Sequence, residues 1–133
     1  MLYLDASALV KRYVEEDGTE LVLSAMRDAP AWAICRIGYV ETARAVALAA
    51  GRKALAGVRS EWPAFDVVEV DPELALHAAE LALSAELRSL DALHLAAALI
   101  LPRQDLTLAT WDARLHRAAR DRGLRTLPES LDS

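Results

Sequence analysis

Leu2-Tyr3-Leu4-Asp5-Ala6-Ser7-Ala8-Leu9-Val10-Lys11 opens the chain. Its first three residues read as a short buried strand, with an acid standing directly at its end. Ser7 can cap a helix from Ala8 to about Tyr13. A strand that delivers a carboxylate and turns at once into a helix is the first half of an α/β unit. In open α/β sheets, ligands bind beyond the carboxyl ends of the strands. Asp5 is therefore the first candidate site residue.

The remainder repeats this alternation. Glu15-Glu16-Asp17-Gly18 breaks the first helix, Thr19 starts a second through about Arg27, and Pro30 ends it. Ala31 to Ile34 is the next strand candidate. A long helix is expected from about Ile37 to Ala50 with Gly51 as its stop, then another from Arg52 to Trp62, interrupted by Pro63. Val67 to Val70 reads as a third strand. Asp71-Pro72-Glu73 supplies a cap, a proline at the first helical position and an acid in the first turn of a helix to about Leu87. Ser89 caps the most apolar helix, Leu90 to Leu101, which Pro102 ends. Leu106 to Ala109 is a fourth strand. Asp112 opens a basic helix to about Arg122, stopped by Gly123, and Leu124 to Leu127 forms a last strand. Strands alternating with helices predict a parallel sheet covered on both faces. No repeat, low-complexity tract or linker divides the 133 residues, which fit one domain, 1–133.

An apolar content of 54% against 26% charged residues argues against a disordered chain. The single cysteine, Cys35, excludes an intramolecular disulfide and any cysteine zinc site within one chain, and fits a reducing cytoplasm. The first residues lack the basic flank and apolar run of a signal peptide. The longest apolar runs, Leu95 to Leu101 and Ala45 to Ala50, fall far short of the ~20 residues that cross a bilayer, so no membrane partner is expected. The net charge of −5 disfavours a polyanionic partner at first sight. Its distribution tells otherwise: Arg114, Arg117, Arg120, Arg122 and Arg125 cluster near the end, and Arg36, Arg44, Arg52, Lys53 and Arg59 form a second basic stretch. Either cluster is also what a solvated helix face looks like.

Four acids stand where the local pattern calls for apolar or packing residues. Asp5 and Asp112 each follow an apolar strand, so both should face the same edge of the sheet; either alone reads equally as a cap or turn residue. Asp91 lies in a helix whose only other polar side chain is His94. A helix apolar all round is buried, and a buried carboxylate is costly unless it is paired, hydrogen-bonded or bound to a metal. Glu41 sits beside the apolar face marked by Ile37, Val40, Ala43 and Ala47, and alone would read as a surface glutamate. Together they suit hard cations, which prefer oxygen ligands. Two such ions ~3.5–4 Å apart can clamp the attacking and leaving oxygens of a phosphodiester.

Three stretches in order carry a family resemblance. The opening, Leu2 to Lys11, resembles PIN-domain toxins of the VapC type; Arg88-Ser89-Leu90-Asp91-Ala92-Leu93-His94-Leu95-Ala96-Ala97-Ala98 resembles their central motif; and Leu108-Ala109-Thr110-Trp111-Asp112 resembles their strand-end motif. The resemblance implies a PIN-like three-layer α/β/α sandwich around a mainly parallel sheet of four or five strands. It implies an endoribonuclease using Mg²⁺ or Mn²⁺, acting as a toxin opposed by a VapB-like antitoxin, and a homodimer. Asp5, Glu41 and Asp91 match the family's three most constant acids, Asp112 its more variable fourth, and Ser7 and Thr110 its supporting hydroxyl residues. RNA contact is expected at Lys11, Arg114 and Arg117.

Other residues are read more plainly. His94, three positions after Asp91, shares its helix face and could orient it, although a buried structural histidine is the ordinary reading. His77 and His116 are expected at the surface, and Cys35 in the core. Ala43 to Ala50 could pack closely, at a dimer interface for example. A haloacid-dehalogenase-type hydrolase usually needs a second Asp two residues after the first, where this chain has Ser7. A response-regulator receiver needs an acidic pair after its first strand and a lysine after its last, and neither is present. A non-catalytic RNA- or protein-binding module of the same fold is the alternative from another class; it has no reason to keep four mutually repelling acids.

Overall fold

The computed structural model describes residues 1–102 and 104–131. Strands β1 (Leu2–Leu4), β2 (Trp32–Cys35), β3 (Phe65–Val68), β4 (Thr107–Ala109) and β5 (Arg125–Leu127) form one sheet in the order β3-β2-β1-β4-β5. Every neighbouring pair is parallel. The connections are helices α1 (Ala6–Tyr13), α2 (Thr19–Asp28), α3 (Arg36–Glu61), α4 (Pro72–Ser84), α5 (Ser89–Leu99) and α6 (Ala113–Asp121), with a 3₁₀ turn at Trp62–Ala64 around Pro63.

Strand alternation divides the core into two layers. Tyr3, Ala33, Cys35, Val68 and Leu108 point to one face, where Leu74, Ala78 and Leu81 of α4, Ala92 and Leu95 to Ala98 of α5, and Leu115 and Ala119 of α6 cover them. Leu2, Leu4, Ile34, Phe65 and Ala109 point to the other, under Ala8 and Leu9 of α1 and Val22 and Met26 of α2. Helix α3 packs against α1 on that second side. The result is the expected three-layer α/β/α sandwich with both faces of a parallel sheet buried.

Several local expectations shift for physical reasons. Helix α1 starts at Ala6, because Asp5 rather than Ser7 caps it: Asp5 Oδ1 accepts the Ala8 amide at 3.0 Å. Ser89 lies inside α5 and makes no cap, the preceding position being Arg88. Strand β3 begins at Phe65, two residues early, since that ring packs between Trp32 and Trp62 at centroid distances of 5.3 and 5.2 Å. Helix α4 ends at Ser84, where Glu86 takes a left-handed φ of 53° and turns the buried Leu87 back onto the core. His116 is buried, not exposed; its Nε2 lies 2.7 Å from the Pro128 carbonyl.

The expected stop at Gly51 is a break within one long element. Helix continues on both sides of a residue with φ 84° and ψ −177°, a region open essentially to glycine alone. An added Cβ there would meet nothing within 4 Å, so any effect of substitution is backbone strain. Gly57, six residues on, would meet only Tyr13 at 3.7 Å. Gly51→Ala is therefore expected to cost about 1–3 kcal/mol, while Gly57→Ala stabilises by about 0.4–1 kcal/mol. Urea unfolding of both variants checks the opposite signs.

Candidate active site

The strand order places a topological switch at the centre of the sheet. From β1 the chain passes to β2 on one side, while β4 lies on the other, so the loops leaving β1 and β4 diverge and open a crevice. The register Leu4↔Ala109 brings the next residues, Asp5 and Thr110, side by side, and the Asp5 amide donates to the Ala109 carbonyl at 3.2 Å.

Asp5 is buried, and three donors compensate its carboxylate. Ser7 Oγ and the Ala8 amide donate to Oδ1 at 2.7 and 3.0 Å, and Thr110 Oγ1 donates to Oδ2 at 2.5 Å. Each hydroxyl also accepts: Ser7 Oγ takes the Trp111 amide at 2.8 Å, and Thr110 Oγ1 the Asp112 amide at 3.0 Å. Both supporting hydroxyls therefore lock Asp5 to the backbone leaving β4. Burial raises the Asp5 pKa, opposed in turn by His94, Thr110, Ser7 and Ala8. A carboxylate offers about four lone-pair positions. Three are filled here, which leaves one on Oδ2.

Asp112 repeats the pattern. Its Oδ1 caps α6 by accepting the amides of Arg114 and Leu115, both at 3.0 Å, and its Oδ2 takes no hydrogen bond among the described residues. Asp91, in the first turn of α5, makes no hydrogen bond or ion pair among the described residues. Its pKa is pushed up to about 6, first by burial and then by the negative charges of Asp112 and Asp5, with Glu41 adding a smaller push and His94 opposing. The four acids thus share one electrostatic neighbourhood.

Glu41 projects from the first turns of α3, which starts directly at the end of β2. Its Oε1 lies 2.7 Å from His94 Nε2. His94 is 1% exposed, and its Nδ1 lies 2.7 Å from Tyr3 Oη, which accepts the Cys35 amide at 3.0 Å. Burial holds the Tyr3 phenol well above its ordinary pKa, so it keeps its proton. His94 therefore pairs with Glu41 rather than with Asp91, its neighbour along the helix. Gly38 makes this approach fit: a Cβ there would stand 2.5 Å from the Ile34 side chain and 3.3 Å from His94 Cε1. Sequence reasoning missed Tyr3 and Gly38. The available signal was a phenol inside a fully apolar strand, whose hydroxyl needs a partner when buried.

The cations divide sharply. Lys11 is buried, bound to Glu16 at 3.0 Å and lying 4.8 Å from the Trp111 ring centroid, which ties it into the fold and away from solvent. Arg120 donates to Thr126 Oγ1 and the Glu129 carbonyl. Arg114 and Arg117 are exposed on α6 without a side-chain partner among the described residues, and help line a groove of about 650 Å³.

Whether the acids suit a cation is tested by their own partners. No three His, Cys, Asp or Glu side chains among the described residues are gathered into a group that would hold a metal ion unaided. A Mg²⁺-like ion needs no such closed group, because it keeps several waters and takes only one or two carboxylates directly. The uncompensated Asp91 and the open oxygens of Asp5 and Asp112 provide such contacts.

This fold, with strand-end and helix acids meeting at the central switch, defines a class. The PIN domain family model matches residues 2–121, and the chain belongs to the PIN-domain family. Within that family it groups with the VapC ribonucleases: Ribonuclease VapC45 of Mycobacterium tuberculosis is 36% identical over a 141-residue alignment covering 99% of this chain and 98% of the relative. Among solved structures, Mycobacterium tuberculosis VapC20, a sarcin-ricin loop cleaving toxin, superposes with a TM-score of 0.76 at 14% identity, covering 99% of this chain and all of that one. A toxin–antitoxin complex from Klebsiella pneumoniae gives 0.69 at 19% identity, covering 85% and 88%. At these identities the two structures speak for the fold.

The raised Asp91 pKa has a stability consequence. Between about pH 4, its unfolded value, and about pH 6, the folded chain holds this proton more tightly than the unfolded chain does. The Asp91 contribution to stability is therefore lost as pH rises through that window. In EDTA, Asp91→Asn should melt above the parent at pH 7, and the two should converge below about pH 4. Circular-dichroism melts from pH 4 to 7 check this.

Proposed function

We propose that the chain is an endoribonuclease toxin that hydrolyses RNA phosphodiester bonds using Mg²⁺ or Mn²⁺ held by Asp5, Asp91, Glu41 and Asp112. Residues 1–133 act as one PIN domain in the cytoplasm. The observation that carries the proposal is Asp91: a half-buried carboxylate with no hydrogen-bond or ion-pair partner among the described residues, pushed up first by burial and then by Asp112, Asp5 and Glu41, is the kind of group a divalent cation would compensate. The VapC relatives supply the substrate class.

A bound divalent ion supplies a lowered pKa for a water nucleophile and polarises the phosphate. The chain's own residues supply the frame. Ser7 and Thr110 fix the direction of Asp5 and leave its Oδ2 one open position. Asp112 caps α6 with one oxygen and presents the other. Arg114 and Arg117, exposed on the helix that Asp112 caps, offer positive charge for the RNA backbone; Lys11, held by Glu16, is left a structural part.

The Klebsiella complex supports a cognate VapB-like antitoxin. A homodimer is supported by the outward side chains of α4, where Leu76 and Leu83 are 70% and 83% exposed. No helix among the described residues is long and apolar enough to cross a membrane.

Purified protein incubated with structured and single-stranded RNAs should cleave with Mg²⁺ or Mn²⁺. Activity should fall to background in EDTA and in Asp5→Asn/Asp91→Asn. Cleavage that survives the double variant or EDTA would sink the proposal. Arg114→Ala/Arg117→Ala should weaken RNA binding across sequences and flatten the plot of log K against log salt by about 0.7–0.9 per arginine. An unchanged slope would remove these arginines from the interface.

A further inference from the structure

We propose that His94, itself oriented by Tyr3, is a positioning residue that aims Glu41 at the cation; the inference rests on the metal-dependent reading above. The proton count along the chain of contacts supports it. Tyr3 Oη accepts the Cys35 amide, so the one proton of the phenol is free for His94 Nδ1, 2.7 Å away. The Glu41 carboxylate can only accept, so in a neutral ring the hydrogen sits on Nε2, facing Glu41 Oε1 at 2.7 Å, and Nδ1 accepts from Tyr3. The donors run in one direction, from the backbone at the end of β2 through β1 and α5 to a carboxylate on α3. The relay through β2, β1 and α5 ends on Oε1 alone, and Glu41 Oε2 takes no hydrogen bond among the described residues.

The arrangement answers a specific difficulty. A glutamate on the first turns of a helix has three rotatable bonds, and fixing such a side chain costs rotamer entropy. Asp5 needs no such post, because it is short and wedged between Ser7 of the first turn of α1 and Thr110 at the end of β4. Glu41, 28% exposed, has only His94 as a hydrogen-bond partner for its carboxylate among the described residues. His94 is nearly inaccessible, so it serves as a fixed post and not as a contact for RNA. Groups that hydrogen-bond a metal's ligands typically matter by about 10–100-fold in metal affinity or activity.

The test is Mn²⁺ binding by calorimetry on the full chain, with no RNA present. His94→Leu and Tyr3→Phe should each weaken Mn²⁺ binding, His94→Leu by about 10–100-fold. His94→Gln keeps a donor toward Glu41 and should recover part of the loss. In a Glu41→Gln background, His94→Leu should cost little more, because its effect passes through Glu41; full additivity would make His94 merely structural and overturn the inference. A long-range ¹H–¹⁵N spectrum of the metal-free parent should show the Nε2-protonated ring, and the opposite tautomer would overturn it even if the variants fail to fold. Wild type that binds no Mn²⁺ removes the metal reading itself. Wild type that binds, with Tyr3→Phe and His94→Gln both binding equally well and no loss in His94→Leu, removes only the role of His94.

Discussion

A carboxylate at the end of the central strand governs this molecule. Asp5 is buried beneath the crevice, where an unpaired charge is prohibitively costly. Its tolerance depends on three donors arriving from the first turn of α1 and from the residue after β4. Ser7 and Ala8 arrive with the first turn of α1, but the Thr110 donor arrives only when β1 and β4 are paired in register, so assembly of the sheet completes the compensation of the charge. The same side chain caps α1, which sets the direction of the chain leaving the sheet. Fold and candidate chemistry therefore meet at a single residue.

Around that fixed acid the others are arranged in decreasing rigidity. Asp112 is anchored by two backbone amides, Glu41 by one buried imidazole, and Asp91 by nothing among the described residues. The least compensated carboxylate, Asp91, has its pKa pushed up to about 6 by burial and by its acidic neighbours. A site built this way stores electrostatic repulsion in the absence of a cation, and the stability of the surrounding packing, not local pairing, holds it together. The two apolar layers on either side of the sheet provide that packing.

Much of this was legible in the chain itself, for reasons that differ by residue. The alternation of strands and helices declared a parallel sheet, and an acid in the mostly apolar α5 marked a candidate site, because burial and charge conflict. Glu41 had no such contradiction around it and depended on family resemblance. The cap at α1 was misassigned because Ser7 and Asp5 are both good caps; the choice is made by Thr110 and Trp111, more than a hundred residues away. Helix spacing likewise joined His94 to Asp91, whereas the close approach allowed by Gly38 joins it to Glu41. Lys11 read as a free cation until Glu16 and Trp111 claimed it. Strand ends moved where aromatic rings preferred each other over the local pattern.

Helix α3 carries a mechanical implication. Its first half bears Glu41, gripped by α5; its second half ends at Glu61, which Arg12 of α1 clasps through two bonds of 2.9 and 2.7 Å. Gly51 lies between, in a conformation that interrupts the helix. The element is thus two struts braced at their far ends and joined by a knuckle, not one rigid rod.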